Sequence, residues 1–287
     1  MHGTGVPLVT PFDEAGEVDE ASLHDLVGWV EERGVDFVVP CGSNSEAELM
    51  SVEERARVVE TVVEAASVPV LAGTGHPGIA ETLTQTALAA EAGADGALVV
   101  TPFYYPHDQE TLAAYYRDVA DEADLPVYLY SVPPFTHVFL TPETVGEIAQ
   151  HENVHGMKDS SGNVSRFQRE RNRVDDGFEL FVGAGGAFAH ALDSGADGGI
   201  LALANVAPEG ASEVFERHEA GDLEGAHERN QELVDLNFAV TAEYGIPGLK
   251  AAMRSRGAPA GHVRRPFRPV EPAVERDLEA LLESSGV

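Results

Sequence analysis

Lysine is almost missing from this chain. Only Lys158 and Lys250 occur in 287 residues, although lysine and arginine together number 18. Cations as a whole are scarce: those 18 stand against 49 aspartates and glutamates, a formal net charge of −31. Such a balance excludes nucleic acid and anionic membrane surfaces as partners, because both need a basic face. Cysteine is absent except for Cys41, so there is no intrachain disulfide framework, and a reducing cytoplasm is expected. No apolar run is long enough to span a bilayer. The start, MHGTGVPLVTPF, lacks the basic and apolar regions of a signal peptide. A soluble, cytoplasmic protein is expected. The carboxylates are spread along helix-like segments and form no acidic tail. With lysine nearly eliminated, that excess reads as adaptation to high salt.

What is present is a strand–helix alternation from end to end. Strand candidates are GVPLVT (5–10), DFVVPC (36–41), VPVLAG (68–73), GALVVT (96–101), PVYLYS (126–131), VHGMK (154–158), FELFVG (178–183) and GGILAL (198–203). Amphipathic segments such as VEERARVVETVVEAA and QETLAAYYRDVADEA separate them. The strands are too apolar to keep one wet face, which implies a parallel sheet covered by helices. Eight such units close an α/β barrel, a (β/α)8 TIM barrel, over residues 1–220, followed by an appended helical region over 221–287. Glycines in ERGVDF, EAGADG and DSGADG predict helix ends just before strands. Ser51 and Glu54 predict a capping box. RRPFRPVEP (264–272) predicts a connection ordered against the barrel.

In such barrels chemistry gathers at the C-terminal ends of the strands. The residues expected there are Thr10, Pro11, Ser43, Asn44, Thr101, Pro102, Tyr104, Tyr130, Lys158, Gly183 and Asn205. Lys158 closes an apolar run in a chain that otherwise avoids lysine. An amine flanked by apolar residues loses hydration, which disfavours the ammonium form and suits a Schiff-base nucleophile. An ordinary buried ion pair, with Asp159 or another carboxylate, is the competing reading. Ser43, Asn44 and Ser45 offer hydroxyls, an amide and backbone N–H groups just after a strand, suited to a small carboxylate. His76, His107, His137, His151 and His155 form no HxH or HExxH pair, so no metal site is expected, and there is no dinucleotide fingerprint. VGAGGAF (182–188) is a glycine-rich turn where barrels often hold phosphate.

VPLVTPF, the GSNSE loop, TPFYY, YSVP, GMKD, VGAGG, GILALANVAP and IPGLKAAM resemble, in order and spacing and over essentially the whole chain, the dihydrodipicolinate synthase and N-acetylneuraminate lyase superfamily. The resemblance implies a (β/α)8 barrel with C-terminal helices, a homotetramer, no cofactor, and action on pyruvate or another 2-oxo acid through a lysine Schiff base. It places Lys158 on the Schiff-base lysine, Tyr130 on the proton-shuttling tyrosine, and Ser43 and Asn44 on the pair that grips the pyruvate carboxylate. Tyr104 matches a tyrosine that in many members enters the neighbouring subunit's site. Gly183 and Ile200 match positions lining the pyruvyl pocket.

Three departures bear on the substrate. Asn44 and Ser45 stand where threonine and glycine are common. Phe135 stands where dihydrodipicolinate synthases carry an arginine for the carboxylate of the aldehyde, and phenylalanine cannot replace a bidentate guanidinium. KDSSGN resembles the strand-six motif of sugar-acid aldolases. The resemblance is therefore closest to a haloarchaeal 2-keto-3-deoxygluconate aldolase, cleaving that sugar acid or its 6-phosphate to pyruvate and an aldehyde. The alternatives are 4-hydroxy-tetrahydrodipicolinate synthase, a sugar-acid dehydratase, and a barrel that binds 2-oxo acids without turnover.

Overall fold

The computed structural model describes residues 1–287. Eight strands are present: β1 (Gly3–Val6), β2 (Phe37–Val38), β3 (Leu71–Gly73), β4 (Gly96–Val100), β5 (Val127–Ser131), β6 (Val154–Asp159), β7 (Glu179–Val182) and β8 (Gly198–Ile200). All their pairings are parallel, in the order β2-β1-β8-β7-β6-β5-β4-β3. A parallel bridge between Val38 and Val70 joins the two ends, and the Gly73 amide donates to the Pro40 carbonyl at 2.9 Å. The sheet is thus the expected barrel.

Around it lie α1 (Glu20–Glu31), α2 (Val52–Ala65), α3 (Ile79–Ala92), α4 (Gln109–Glu122), α5 (Pro133–Thr136), α6 (Pro142–Ile148), α7 (Val164–Arg171), α8 (Phe188–Asp193) and α9 (Pro208–Glu219). Then follow α10 (Leu223–Phe238), a π-helical turn (Ala239–Glu243), α11 (Gly245–Ser255) and α12 (Pro272–Ser284). None is long and apolar enough to cross a membrane.

Side-chain alternation sorts the core into two parts. Phe37, Leu71, Leu98, Tyr128, Tyr130, Phe181 and Ile200 fill the barrel, while a larger cluster packs the sheet against the helices. Gly156 makes room inside: a Cβ there would stand 2.8 Å from the Tyr128 ring and 2.4 Å from the Glu179 carbonyl oxygen.

A repeated device joins helix ends to strand starts. Gly34, Gly93 and Gly195 all have left-handed φ angles, as their motifs predicted. Two residues after each comes an aspartate that accepts a backbone N–H at the start of a strand or its lead-in. Asp36 accepts from Thr4 at 2.7 Å, Asp95 from Val70 at 2.8 Å and Asp197 from Leu180 at 2.7 Å. The Ser51–Glu54 capping box is present in both halves. The 264–272 connection is pinned to the barrel: Arg264 pairs with Glu54 and donates to the carbonyls of Gly16 and Leu49.

Several strands are shorter than expected: β2 covers only Phe37–Val38 of 36–41, β3 Leu71–Gly73 of 68–73 and β8 Gly198–Ile200 of 198–203, and β1 is shifted as well. The first strand runs from Gly3 to Val6 rather than 5–10, because Pro7 has no N–H to continue the ladder. Thr10 consequently sits in the loop after β1.

Candidate active site

β5 and β6 are register partners that set Tyr130 directly beside Lys158. Lys158 is buried, and its Nζ lies 4.4 Å from the centre of the Tyr130 ring. The Tyr130 hydroxyl is 3.3 Å from Ser43 Oγ, which the 3-10 turn Ser43–Ser45 presents after β2. Three residues from separate strands or strand-end loops thus form a line of amine, phenol and hydroxyl at one end of the barrel. β7 supplies the space for it. A Cβ on Gly183 would lie 2.9 Å from Lys158 Cε and 1.8 Å from Ser160 Oγ.

Lys158 makes no ion pair. The neighbouring Asp159 is turned the other way, its carboxylate accepting the amide of Ser161 at 2.9 Å and its hydroxyl at 2.7 Å. The buried ion pair belongs to the other lysine. Lys250 Nζ is 2.6 Å from Glu46 Oε1 and donates to the carbonyls of Thr10 and His262, both at 2.6 Å. Burial pulls its ammonium down to about 8, against the attraction of Glu46. A carboxylate and two carbonyls enclose this amine, so it clamps α11 onto the loop after β1 and has no room for a substrate.

A cavity of about 290 Å³ opens beside Ser43 and Tyr130. Its wall is mainly apolar, with Leu98, Val100, Phe103 and Val132 along it and Phe135 among its lining residues. Phe135, on α5, is 64 % exposed. Arg55 and Glu48 also reach the cavity, 3.9 Å apart, and Arg55 donates to the Gly73 carbonyl at 2.9 Å. Sequence reading passed over Arg55. The available signal was its place on the apolar stripe of α2 with Val58, Val59 and Val62.

The other expected site residues are placed as follows. Asn44 is half-buried next to Ser43 and is not part of the cavity wall. Ser45 donates its hydroxyl to the Leu8 carbonyl, holding the turn. Ile200 is fully buried in the barrel interior against the same apolar cluster as Tyr130. Asn205 accepts from the Val9 amide at 3.1 Å and donates to the Pro7 carbonyl at 2.9 Å, so it fastens the β1 loop. Tyr104 departs most from the expected cluster. It is 84 % exposed, at a left-handed φ of 77°, with its ring edge-on to Tyr105 at 5.0 Å. Within one chain it is not in the line of Lys158, Tyr130 and Ser43. Cys41 is inert, because burial pushes its thiol up to about 11.

A barrel with a buried, unpaired lysine at a strand end, beside a phenol and a hydroxyl, has the arrangement of a carbon–carbon lyase working through a lysine Schiff base. The model of the dihydrodipicolinate synthetase family matches residues 1–285, and the chain belongs to that family. It is 36 % identical over 287 residues to the 4-hydroxy-tetrahydrodipicolinate synthase of Geotalea uraniireducens, covering 99 % of each chain. It is 38 % identical to an uncharacterized DapA-like lyase of Halobacterium salinarum, covering 100 % of this chain and 95 % of that one. Among solved structures, the dihydrodipicolinate synthase of Aquifex aeolicus superposes with a TM-score of 0.95 at 31 % identity, covering 100 % and 98 % of the two chains. The synthase of Acinetobacter baumannii complexed with pyruvate gives 0.95 at 32 %, covering 100 % and 99 %.

Proposed function

We propose that this enzyme makes and breaks the C3–C4 bond of a 2-oxo acid, with pyruvate as the three-carbon product or donor. In the cleavage direction, Lys158 Nζ adds to the C2 ketone and water leaves, giving a protonated imine. Tyr130 as phenolate takes the proton of the C4 hydroxyl while the C3–C4 pair moves into the imine. An aldehyde departs and the pyruvyl enamine remains, to be protonated and hydrolysed. Ser43 and Asn44 would hold the carboxylate at C1. The observation that carries this reading is the unpaired Lys158 amine 4.4 Å from the Tyr130 ring, while Lys250 is fully engaged elsewhere.

Two aldehydes compete. The names of the relatives support condensation of pyruvate with aspartate semialdehyde, the 4-hydroxy-tetrahydrodipicolinate synthase reaction. Phe135 at the cavity favours an aldehyde without a carboxylate to clamp, as released from 2-keto-3-deoxygluconate or its 6-phosphate, the Entner–Doudoroff substrates. Pyruvate with borohydride should add one pyruvyl-derived mass at Lys158. Condensation of pyruvate with each aldehyde and pyruvate release from each sugar acid, measured on the wild type and Phe135→Arg, separate the readings. Sugar-acid cleavage by the wild type, with gain of aspartate-semialdehyde condensation in Phe135→Arg, supports the second. Efficient condensation by the wild type overturns it.

Tyr104, exposed in one chain, supports a shared site in a homotetramer. Mixing Lys158→Ala and Tyr104→Phe chains should then restore activity, since one hybrid site regains both groups. The charge of −31 supports a cytoplasmic enzyme working in high salt.

A further inference from the structure

Sequence spacing indicated no metal constellation, yet the fold gathers histidines that are far apart in the chain. His190 and Asp193 are one turn apart on α8, so they share a face. His227, in the second turn of α10, turns onto that face: its Nε2 is 2.8 Å from Asp193 Oδ2, and its ring centre is 4.7 Å from that of His190. One ligand atom from each of the three lies within 4.8 Å of the others. From the last turn of α9, His218 Nε2 meets the other Asp193 oxygen, Oδ1, at 3.2 Å.

We propose that His190, Asp193 and His227 form a site for a divalent transition cation of the zinc type, with His218 as the group that orients Asp193. The donor set is two imidazoles and one carboxylate. Imidazole nitrogen suits zinc, cobalt, nickel and copper, whereas magnesium and calcium take oxygen ligands. Around one tetrahedral ion with bonds of about 2.0–2.1 Å, ligand atoms stand roughly 3.3 Å apart. The Asp193–His227 pair is already near that separation. His190 and Asp193 are exposed side chains, so closing the remaining distance costs little packing. A water completes the fourth position. The contact from His218 to the second carboxylate oxygen fixes the carboxylate as outer-shell partners commonly do. Hydrogen bonds hold Asp193 to His218 and His227, and the tilted ring contact with His227 keeps His190 on the same face, within reach of the same ion.

The site stands apart from the chemistry. Asp193 ends α8 five residues before β8 begins, so the cluster lies toward the N-terminal ends of the strands, opposite the end that bears Lys158. An ion there would tie α8, α9 and α10 together and leave the catalytic line untouched.

The test uses untagged, chelator-stripped full-length protein titrated with zinc chloride by calorimetry and with cobalt chloride by absorbance, at neutral pH. One equivalent per chain is expected, with the visible bands of tetrahedral cobalt and a higher melting temperature. His190→Gln and His227→Gln should each weaken binding more than about 100-fold, and His218→Gln about 10- to 100-fold. Pyruvate release should be unchanged in all three. Absence of saturable binding to the wild type, or equal binding by His190→Gln and His227→Gln, would overturn the site.

Discussion

Glu46 Oε1 and Lys250 Nζ are 2.6 Å apart, with neither side chain exposed to solvent. This pair uses up one of the two lysines of the chain. It also explains why an acid in the GSNSE loop is spent on structure: the other Glu46 oxygen accepts the Arg264 amide at 2.8 Å, so one carboxylate joins α11, the 264–272 connection and the loop after β2. Removing one partner of such a pair leaves a buried charge without compensation, which costs about 3–5 kcal/mol. Lys250→Met should therefore lower stability by that amount in urea unfolding, while the folded fraction still traps pyruvate at Lys158. Loss of trapping in folded Lys250→Met would return Lys250 to the catalytic machinery.

Gly183 is a steric requirement of the nucleophile. In Gly183→Ala the new methyl meets Lys158 Cε and Ser160 Oγ, and the amine must shift. A misplacement of the order of 1 Å is worth roughly 100-fold in rate. The expected result is a fall in kcat of about that size and slowed borohydride trapping, in a protein that still folds. A Gly183→Ala enzyme with wild-type kcat would show that Lys158 has slack on this side.

Glu170 on α7 is fully buried, and neither carboxylate oxygen has a partner. Burial first, then the charge of Asp159, pushes its carboxyl up to about 9, while Arg166 and Arg169 pull the other way. Asp159 is itself raised, chiefly by burial, against its bonds to Ser161 and the pull of Arg166. The folded state thus holds a proton on Glu170 that the unfolded chain gives up near the ordinary glutamate value of 4.5. The stability from this group is fully present below pH about 4.5 and is lost as pH rises toward about 9. Glu170→Gln keeps the neutral form at every pH. Its advantage over the wild type in urea melts should widen steadily between pH 5 and pH 9, and parallel curves would refute the assignment.

What the sequence made legible was local or periodic. The eight apolar runs, the glycines before Asp36, Asp95 and Asp197, and the Ser51–Glu54 box each need only a few neighbouring residues to be read. Lys158, Tyr130 and Ser43 were legible because they sit at strand ends, which a barrel brings to one face. The Glu46–Lys250 clamp, Arg55 at the cavity and the His190–Asp193–His227 cluster were not legible, since each joins segments with no shared period. The end of β1 was misplaced because the apolar run continues past Pro7, and hydrophobicity alone does not register a missing N–H.

The arrangement of charge gives the last prediction. The arginines are largely engaged: Arg117 pairs with Glu147, Arg169 and Arg173 share Glu143, Arg217 and Arg229 share Glu213, and Arg256 holds Glu209. Most of the 49 carboxylates therefore face no cation, and they line the exposed faces of the outer helices. Repulsion among them acts over a Debye length of roughly 30 Å in 0.01 M salt and only about 3 Å at 1 M. The unfolded chain spreads the same charge over a larger volume, so dilute buffer penalises the compact state more. Melting temperature and pyruvate release should accordingly rise together from 0.01 M to about 1 M potassium chloride and level off once only adjacent charges still interact. Potassium sulfate should continue to stabilise beyond that plateau, because its exclusion from the surface strengthens apolar burial independently of charge screening. A melting temperature flat across the chloride series would mean that the fold already compensates its charge, and the high-salt reading would fall with it.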